Sequence, residues 1–126
     1  LPIVTTLTPD DEAAAAIGPV DAGVVVCGHV HVQYDRQLPG GPRVVNAGAV
    51  GAPYEGRAAA FWLLLDEDGV HHVSTDYDVE PAIARLEAAG CPDTEWIVQH
   101  ALRVPVAAAD AMAQFEQTRR QSSMSS

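Results

Sequence analysis

The stretch VVVCGHVH, residues 24–31, decides the fold prediction for this chain. Its four leading apolar residues, bounded by Gly28, have the length and β-branched composition of a strand that is covered on both faces. Alternate side chains of an extended chain project from the same side, so His29 and His31 are predicted to point the same way. Ligands of open α/β sheets gather beyond the carboxyl ends of such strands. The stretch therefore predicts a buried strand that ends at a candidate binding site.

Two histidines in this arrangement are potential metal ligands. Imidazoles about 7 Å apart along an extended chain cannot easily share one ion, but each could ligate one member of a metal pair spaced about 3.5–4 Å apart. His-X-His also occurs on ordinary strands, where the rings form hydrogen bonds or face water, and the pattern alone leaves both readings open. His71 and His72 are adjacent and should lie on opposite faces of a strand, which makes them ordinary strand residues. His100, in a predicted helix without a neighbouring ligand type, is expected to be structural.

Composition predicts one folded α/β domain within 126 residues, of which 48% are hydrophobic. No apolar stretch approaches the roughly 20 residues that cross a bilayer, and no export signal precedes the fold, so we expect no membrane association and a cytoplasmic location. Cys27 and Cys91 have no disulfide or zinc-finger spacing and are expected to be reduced thiols.

The net charge of −10 argues against broad binding to nucleic acid or to anionic membranes. Residues 28–57 are an exception, because they hold three arginines against two acidic residues. An anionic substrate such as a phosphate ester would meet the least repulsion there, and Arg36 is a candidate contact for it, although loop arginines are often merely solvated.

Helix and strand signals alternate along the rest of the chain. Thr8 is predicted to cap a helix that starts at Pro9 and contains residues 13–17. Gly-rich and Pro-rich turns separate strands at 24–27 and 43–46, and an Asp-Gly turn predicts a hairpin. Further predictions are hairpin strands at 58–66 and 70–76, helices at 79–89, 93–102 and 106–120, and a disordered tail at 121–126.

A second loop, NAGAVG at residues 46–51, also follows a predicted strand. Its glycines would let backbone amides approach an anion closely, and the amide of Asn46 can both donate and accept hydrogen bonds. A glycine-rich turn alone is weak evidence and is more often an ordinary connection between strands. Because both loops follow strands, they could meet at the same sheet edge.

Together, the two loops resemble the calcineurin-like metallophosphoesterases, in particular small bacterial and archaeal phosphodiesterases with Gly-His-Thr-His and Asn-Pro-Gly-Ser-Val-Gly motifs. The likeness is detailed from about residue 24 to residue 57 and looser beyond it. Val30, Ala47 and Ala49 depart from the motifs, and Ala49 lacks a hydroxyl that could contact substrate. The resemblance implies an α/β fold in which residues 1–120 form the C-terminal part of a four-layer αββα sandwich with a mixed sheet.

The resemblance also implies a role for each motif residue. His29 would ligate one metal ion and His31 the other, while Asn46, Gly48 and Gly51 would shape the adjoining substrate loop. Two divalent transition metal ions, whether manganese, iron, zinc or nickel, would support hydrolysis of a phosphodiester or phosphomonoester.

The family's N-terminal motifs, Asp-X-His, Gly-Asp-X-X-Asp and Gly-Asn-His-Asp/Glu, do not occur in this sequence. We therefore expect the N-terminal half of the same enzyme to be the partner that supplies the other ligands, and the 126 residues alone to bind metal weakly and to hydrolyse nothing. An uncovered half-sandwich is expected to form homo-oligomers or to aggregate. The alternatives are a catalytically inactive superfamily member that serves as a protein-binding scaffold, and a plain α/β domain with an incidental His-X-His.

Overall fold

A three-stranded mixed sheet forms the centre of the fold in the computed structural model, which describes residues 2–124. Its strands are β1 (Val24–Cys27), β2 (Gln33–Gln37) and β3 (Arg43–Ala47), in the spatial order β1-β3-β2. β1 runs parallel to β3, and β2 runs antiparallel to it. The ends of β1 and β3 and the start of β2 therefore share one side of the sheet, which we call the carboxyl edge.

The sequence did not predict β2. Of its five residues only Tyr34 is buried, so the segment lacks the apolar alternation that marks a half-buried strand. All five residues nevertheless pair with β3, from Gln33 opposite Ala47 to Gln37 opposite Arg43. Pairing with a neighbouring strand, rather than local preference, places this segment in the sheet.

The predicted hairpin is confirmed as β4 (Ala60–Asp66) and β5 (Gly69–Thr75). Gly69 has φ 126° at its turn, a value that favours glycine. The Gln33 side-chain amide donates to the carbonyl oxygens of Trp62 at 2.9 Å and Val73 at 3.1 Å. These bonds fasten the hairpin to the carboxyl edge.

The helices are α1 (Asp10–Ile17), α2 (Val79–Ala89), α3 (Thr94–Ile97) and α4 (Ala108–Met124), and α3 continues into a π-helical segment, Val98–Arg103. α2 ends as predicted at Gly90, which has φ 62°. The predicted cap of α1 is wrong, because the Thr8 hydroxyl accepts a hydrogen bond from the Thr5 amide and donates one to Glu116. α1 therefore begins without a side-chain cap.

α4 is longer than the sequence predicts. It continues through residues 121–124, which the sequence assigns to a disordered tail. The same prediction extends to Ser125 and Ser126, which lie outside the described residues.

The mixed α/β architecture and the mixed sheet agree with the sequence prediction. Two apolar clusters fill the interior, one between the sheet, α1 and α4 and a smaller one between α2 and the π-helical segment. The first contains Ala13, Val30, Val32, Tyr34, Leu38, Val44, Ala111 and Met112, and the second Ile83, Val98 and Leu102. Within residues 2–124, no helix has the length and apolar character needed to cross a bilayer.

Candidate metal and phosphoester site

His29 and His31 lie just beyond β1, not on it. The strand ends at Cys27, and the two histidines have φ 74° and 56°, in the left-handed region. The two-residue alternation of extended chain therefore does not apply to them, and that step of the sequence argument is wrong. Tertiary contacts direct the two rings instead.

The turn between the histidines buries Val30, which is 1% exposed and belongs to the main apolar cluster. Left-handed backbone costs a residue with a Cβ roughly 1–2 kcal/mol. Fully burying a valine contributes a similar amount, about 1.5–3 kcal/mol. Burial of Val30 thus offsets much of the strain at its neighbours, and strain of this kind is concentrated at functional sites.

The residue with the most contacts at this site is His31. Its Nδ1 donates to the carbonyl oxygen of Ala52 at 2.8 Å, and its own carbonyl accepts the Tyr54 amide at 3.0 Å. Its ring stacks on Tyr54 with centroids 5.1 Å apart and an interplanar angle of 25°. Since Nδ1 carries the donated proton, the lone pair of the neutral ring is on Nε2, the arrangement that metal-ligating histidines adopt.

His29 is exposed and reaches a neighbouring part of the same surface. Its ring meets the edge of Phe115 at 5.7 Å, with an interplanar angle of 61°. Phe115 in turn lies 6.2 Å from Tyr54, the ring on which His31 stacks. One aromatic pair, from the 46–55 loop and from α4, therefore contacts both histidines.

Asn46 joins the two loops that the sequence singled out. It is fully buried, its side-chain Nδ2 donates to the Gly28 carbonyl at 2.8 Å, and its Oδ1 accepts the Gly48 amide at 2.9 Å. Gly48 has φ 84°, and a Cβ there would lie 2.8 Å from the Gln33 side chain and 2.9 Å from that of Phe61. The sequence was right to expect these two loops at one edge.

Arg36 lies elsewhere. It pairs with Val44 on the sheet, towards the side opposite the carboxyl edge. Its guanidinium donates to the Thr5 carbonyl at 2.6 Å and forms an ion pair with Asp10 at 2.5 Å. The structure therefore does not bring Arg36 together with the histidines, and its contacts fasten the N-terminal segment to β2.

Sequence reasoning missed Tyr54 and Phe115. Tyr54 follows the glycine-rich loop, but nothing in the sequence indicates that it stacks on His31. Phe115 comes from α4, more than 80 residues after His29, and no local signal connects the two. Burial raises the pKa of the Tyr54 hydroxyl, so the phenol is neutral at physiological pH.

The other histidines behave as adjacent strand positions predict. His71 bonds to Asp66 at 2.9 Å within the hairpin, whereas His72 donates from Nε2 to the Asn46 carbonyl at 2.9 Å. Across residues 2–124, no group of three or more His, Cys, Asp or Glu side chains could hold a metal ion. This part of the chain therefore offers His29 and His31 without a third ligand.

No family model matches the chain, and the search of curated proteins finds no match either.

Proposed function

We propose that this chain carries one part of the active site of a metal-dependent phosphoesterase, in which His29 and His31 each ligate one of two divalent transition metal ions. The observation that carries the proposal is the hydrogen bond from His31 Nδ1 to the Ala52 carbonyl, because it presents Nε2 as a ligand atom. His29, exposed beside the same aromatic pair, supplies the second imidazole.

Bound ions would supply Lewis-acid stabilisation of the phosphoryl oxygens and a more acidic water as nucleophile. Two imidazoles do not complete the coordination of two ions, so the remaining ligands must come from outside residues 2–124. We propose that they belong to the N-terminal half of the same enzyme, which together with this chain forms a four-layer αββα sandwich. The substrate is a phosphodiester or phosphomonoester.

In this proposal, the residues around the two histidines hold the metal ligands in place and take no direct part in the hydrolysis. Asn46 fixes the Gly28 carbonyl next to His29 and the amide of Gly48 in the second loop, so the two loops move as one unit. Tyr54 and the Ala52 carbonyl set the orientation and the tautomer of His31. Such contacts behind metal ligands commonly change metal affinity 10–100-fold when they are removed.

A protein-binding scaffold that has lost catalysis is the second candidate. The edge strand β1 favours it, because Val24 is 39% exposed and Val26 46% exposed on one face of the sheet. An exposed apolar edge of this kind marks an interaction surface. In the enzyme, the N-terminal half would cover it.

Activity of the complete gene product on a panel of phosphodiesters, with and without a chelator, tests the proposal. Hydrolysis should require Mn²⁺, Zn²⁺, Fe²⁺ or Ni²⁺, and His31→Ala, which removes a ligand itself, should lower activity and metal affinity by more than the roughly 10–100-fold typical of contacts behind a ligand. His71→Ala is the matched control, since His71 is bonded to Asp66 in the hairpin and should leave both unchanged. Equal metal content and activity in the two variants, or chelator-resistant hydrolysis, would refute the enzyme reading. A gene without the three N-terminal motifs upstream would favour the scaffold.

A further inference from the structure

A cavity of about 330 Å³ lies between Tyr54, in the segment after β3, and the helices α3 and α4. Its aromatic walls are Tyr54, Trp96 and Phe115, and its polar lining is Asp110 and Gln114. Tyr54 and Phe115 are the two rings that contact His31 and His29. The cavity therefore shares a wall with the candidate metal site.

The aromatic walls suit a flat ligand. Trp96 is 48% exposed and stacks on His100 at 4.8 Å, with an interplanar angle of 15°. Aromatic side chains stack on nucleobases because both present flat π faces. The volume lies at the lower end of the range of small-molecule sites, which fits one base-sized group.

Asp110 and Gln114 give the cavity a polar edge. They stand one helical turn apart on α4, so their side chains lie on one face of the helix. Both residues are exposed, and within residues 2–124 neither the Asp110 carboxyl group nor the Gln114 side-chain amide has a hydrogen-bond or ion-pair partner in the protein. A carboxylate accepts hydrogen bonds only, whereas an amide can also donate one.

The base with the complementary edge is guanine. Its ring N1–H and exocyclic amine are adjacent donors for a carboxylate, and its O6 accepts a hydrogen bond from an amide. Adenine, cytosine and thymine lack two adjacent donors. Asp110 would repel a phosphate at this position, which favours the base over the reacting group as the occupant of the cavity.

We infer that the cavity binds a guanine base, with Trp96 stacking on its face and Asp110 reading its donor edge, so that the ester hydrolysed at the neighbouring histidines is that of a guanine nucleoside. The link to an ester rests on the proposed phosphoesterase function, whereas base binding does not. The net charge of −10 favours a mononucleotide-sized ligand over a long polyanion.

Calorimetric titration with guanosine alone, without metal or phosphate, tests the base site. Guanosine should bind saturably and more tightly than adenosine or cytidine, and Trp96→Ala should weaken its binding at least about tenfold. Trp62→Phe is the matched control, because Trp62 lies on β4 and does not line the cavity. Equal affinity of the three nucleosides, or equal binding by the two tryptophan variants, would overturn the inference.

Two helix variants examine base selection separately from stacking. Asp110→Asn should remove the preference for guanosine over adenosine, and Gln114→Ala should weaken guanosine binding. Gln117→Ala on the same helix lies outside the cavity and should change neither. A preference that survives Asp110→Asn contradicts the assignment of the donor edge.

Failure of this inference differs from failure of the proposed function. Metal-dependent hydrolysis of a base-free alkyl phosphodiester, together with no binding of guanosine, would refute only the base site. Saturable guanosine binding that depends on Trp96, without any metal-dependent hydrolysis, would support the base site and refute the phosphoesterase.

Discussion

The carboxyl edge and the contacts between the N-terminal segment and α4 are held together in different ways. At the edge, an amide and an imidazole bond to backbone atoms, Asn46 to Gly28 and Gly48 and His31 to Ala52, while the Glu55 carboxylate accepts the backbone amide of Gln33. We call the second region the N-terminal clasp, formed by Thr5, Thr8 and Glu12 against Glu116 and Arg119 of α4. Its contacts depend on ionised side chains.

Glu116 is the centre of the clasp. Its carboxylate is 5% exposed, accepts the Thr8 hydroxyl at 3.0 Å and pairs with Arg119 at 2.6 Å, while Arg119 also pairs with Glu12. Hydrogen bonding from Arg119, aided by Thr8 and Arg120, outweighs desolvation and lowers the pKa of Glu116 from 4.5 to about 2. The hydrogen bonds that join the N-terminal segment and α1 to α4 thus involve ionised groups, although Thr5 and Thr8 also bond to each other as neutral groups.

The two regions show that different interactions position the loops of the candidate site and attach the N-terminal segment to α4. Bonds from a side-chain amide or an imidazole N–H to backbone carbonyls fix loop geometry and do not require an ionised carboxylate. Ion pairs attach one element to another but depend on pH and salt. The bonds of Asn46 and His31 at the carboxyl edge are therefore expected to persist under conditions that loosen α4, whereas the contact of Phe115 with His29 is expected to be lost.

Gly48→Ala should cause the largest loss of unfolding free energy, because it disrupts the packing at the carboxyl edge. The new Cβ would lie within 3 Å of the Gln33 and Phe61 side chains and would impose a left-handed conformation on alanine. Overpacking and backbone strain together should cost about 3–4 kcal/mol of unfolding free energy. Denaturant titration measures it, with Gly51→Ala as control, where a Cβ meets open space. A loss below about 1 kcal/mol would show that the edge can relax.

Asn46→Ala should destabilise the same region somewhat less. It leaves the Gly28 carbonyl and the Gly48 amide without their side-chain partner, at a cost of about 2–3 kcal/mol. If the two loops form one unit, amide hydrogen exchange should accelerate in both 28–31 and 46–51. Acceleration in only one loop would show that Asn46 does not couple them.

Glu116→Gln tests the clasp and its dependence on pH. Since folding lowers the pKa of Glu116, the stabilisation is complete above about pH 4.5 and is lost as pH falls from there towards 2. At pH 7 the variant should lose roughly 2 kcal/mol of unfolding free energy, and below pH 3 the difference from wild type should shrink. The exposed Glu87→Gln is the control. A difference that stays constant between pH 7 and pH 2.5 would contradict the role of the ionised carboxylate.

Arg36→Ala should cause the smallest loss of unfolding free energy among the four substitutions. It distinguishes a structural role of Arg36, which attaches the N-terminal segment, from a role in contacting substrate. Loss of its bonds to Thr5 and Asp10 should cost about 1 kcal/mol of unfolding free energy. Phosphoester hydrolysis by the complete gene product should keep its KM, with the exposed Arg85→Ala as control. A several-fold rise in KM without loss of stability would restore Arg36 as a substrate contact.

The strands and helices that have a regular apolar pattern or a turn glycine at their end were predictable from the sequence. The run at 24–27, the Asp-Gly hairpin and the helix that ends at Gly90 each have a local signal, and the structure places them within a few residues of their predicted bounds. The prediction that the strand at 24–27 is covered on both faces is wrong for the described residues, because β1 is an edge strand whose Val24 and Val26 are exposed. β2 was not predictable, because its only buried residue is Tyr34 and its partner strand supplies the reason for its extended form. The last turn of α4 was likewise not predictable, because residues 121–123 are polar and all of residues 121–124 are exposed.

For the site, the sequence by itself determined which side chains are present at the carboxyl edge: His29 and His31 after one strand, Asn46 and Gly48 in the loop after another. These follow from strand ends and turn glycines, which are local properties. Only the tertiary structure decided how the histidines are oriented, because both have left-handed backbone on either side of the buried Val30 and the aromatic pair comes from distant segments. The tertiary structure also decided that Arg36 binds the N-terminal segment through Thr5 and Asp10, because ion pairing depends on which elements pack together. Ring orientation and charge pairing are long-range properties, and no short stretch of sequence encodes them.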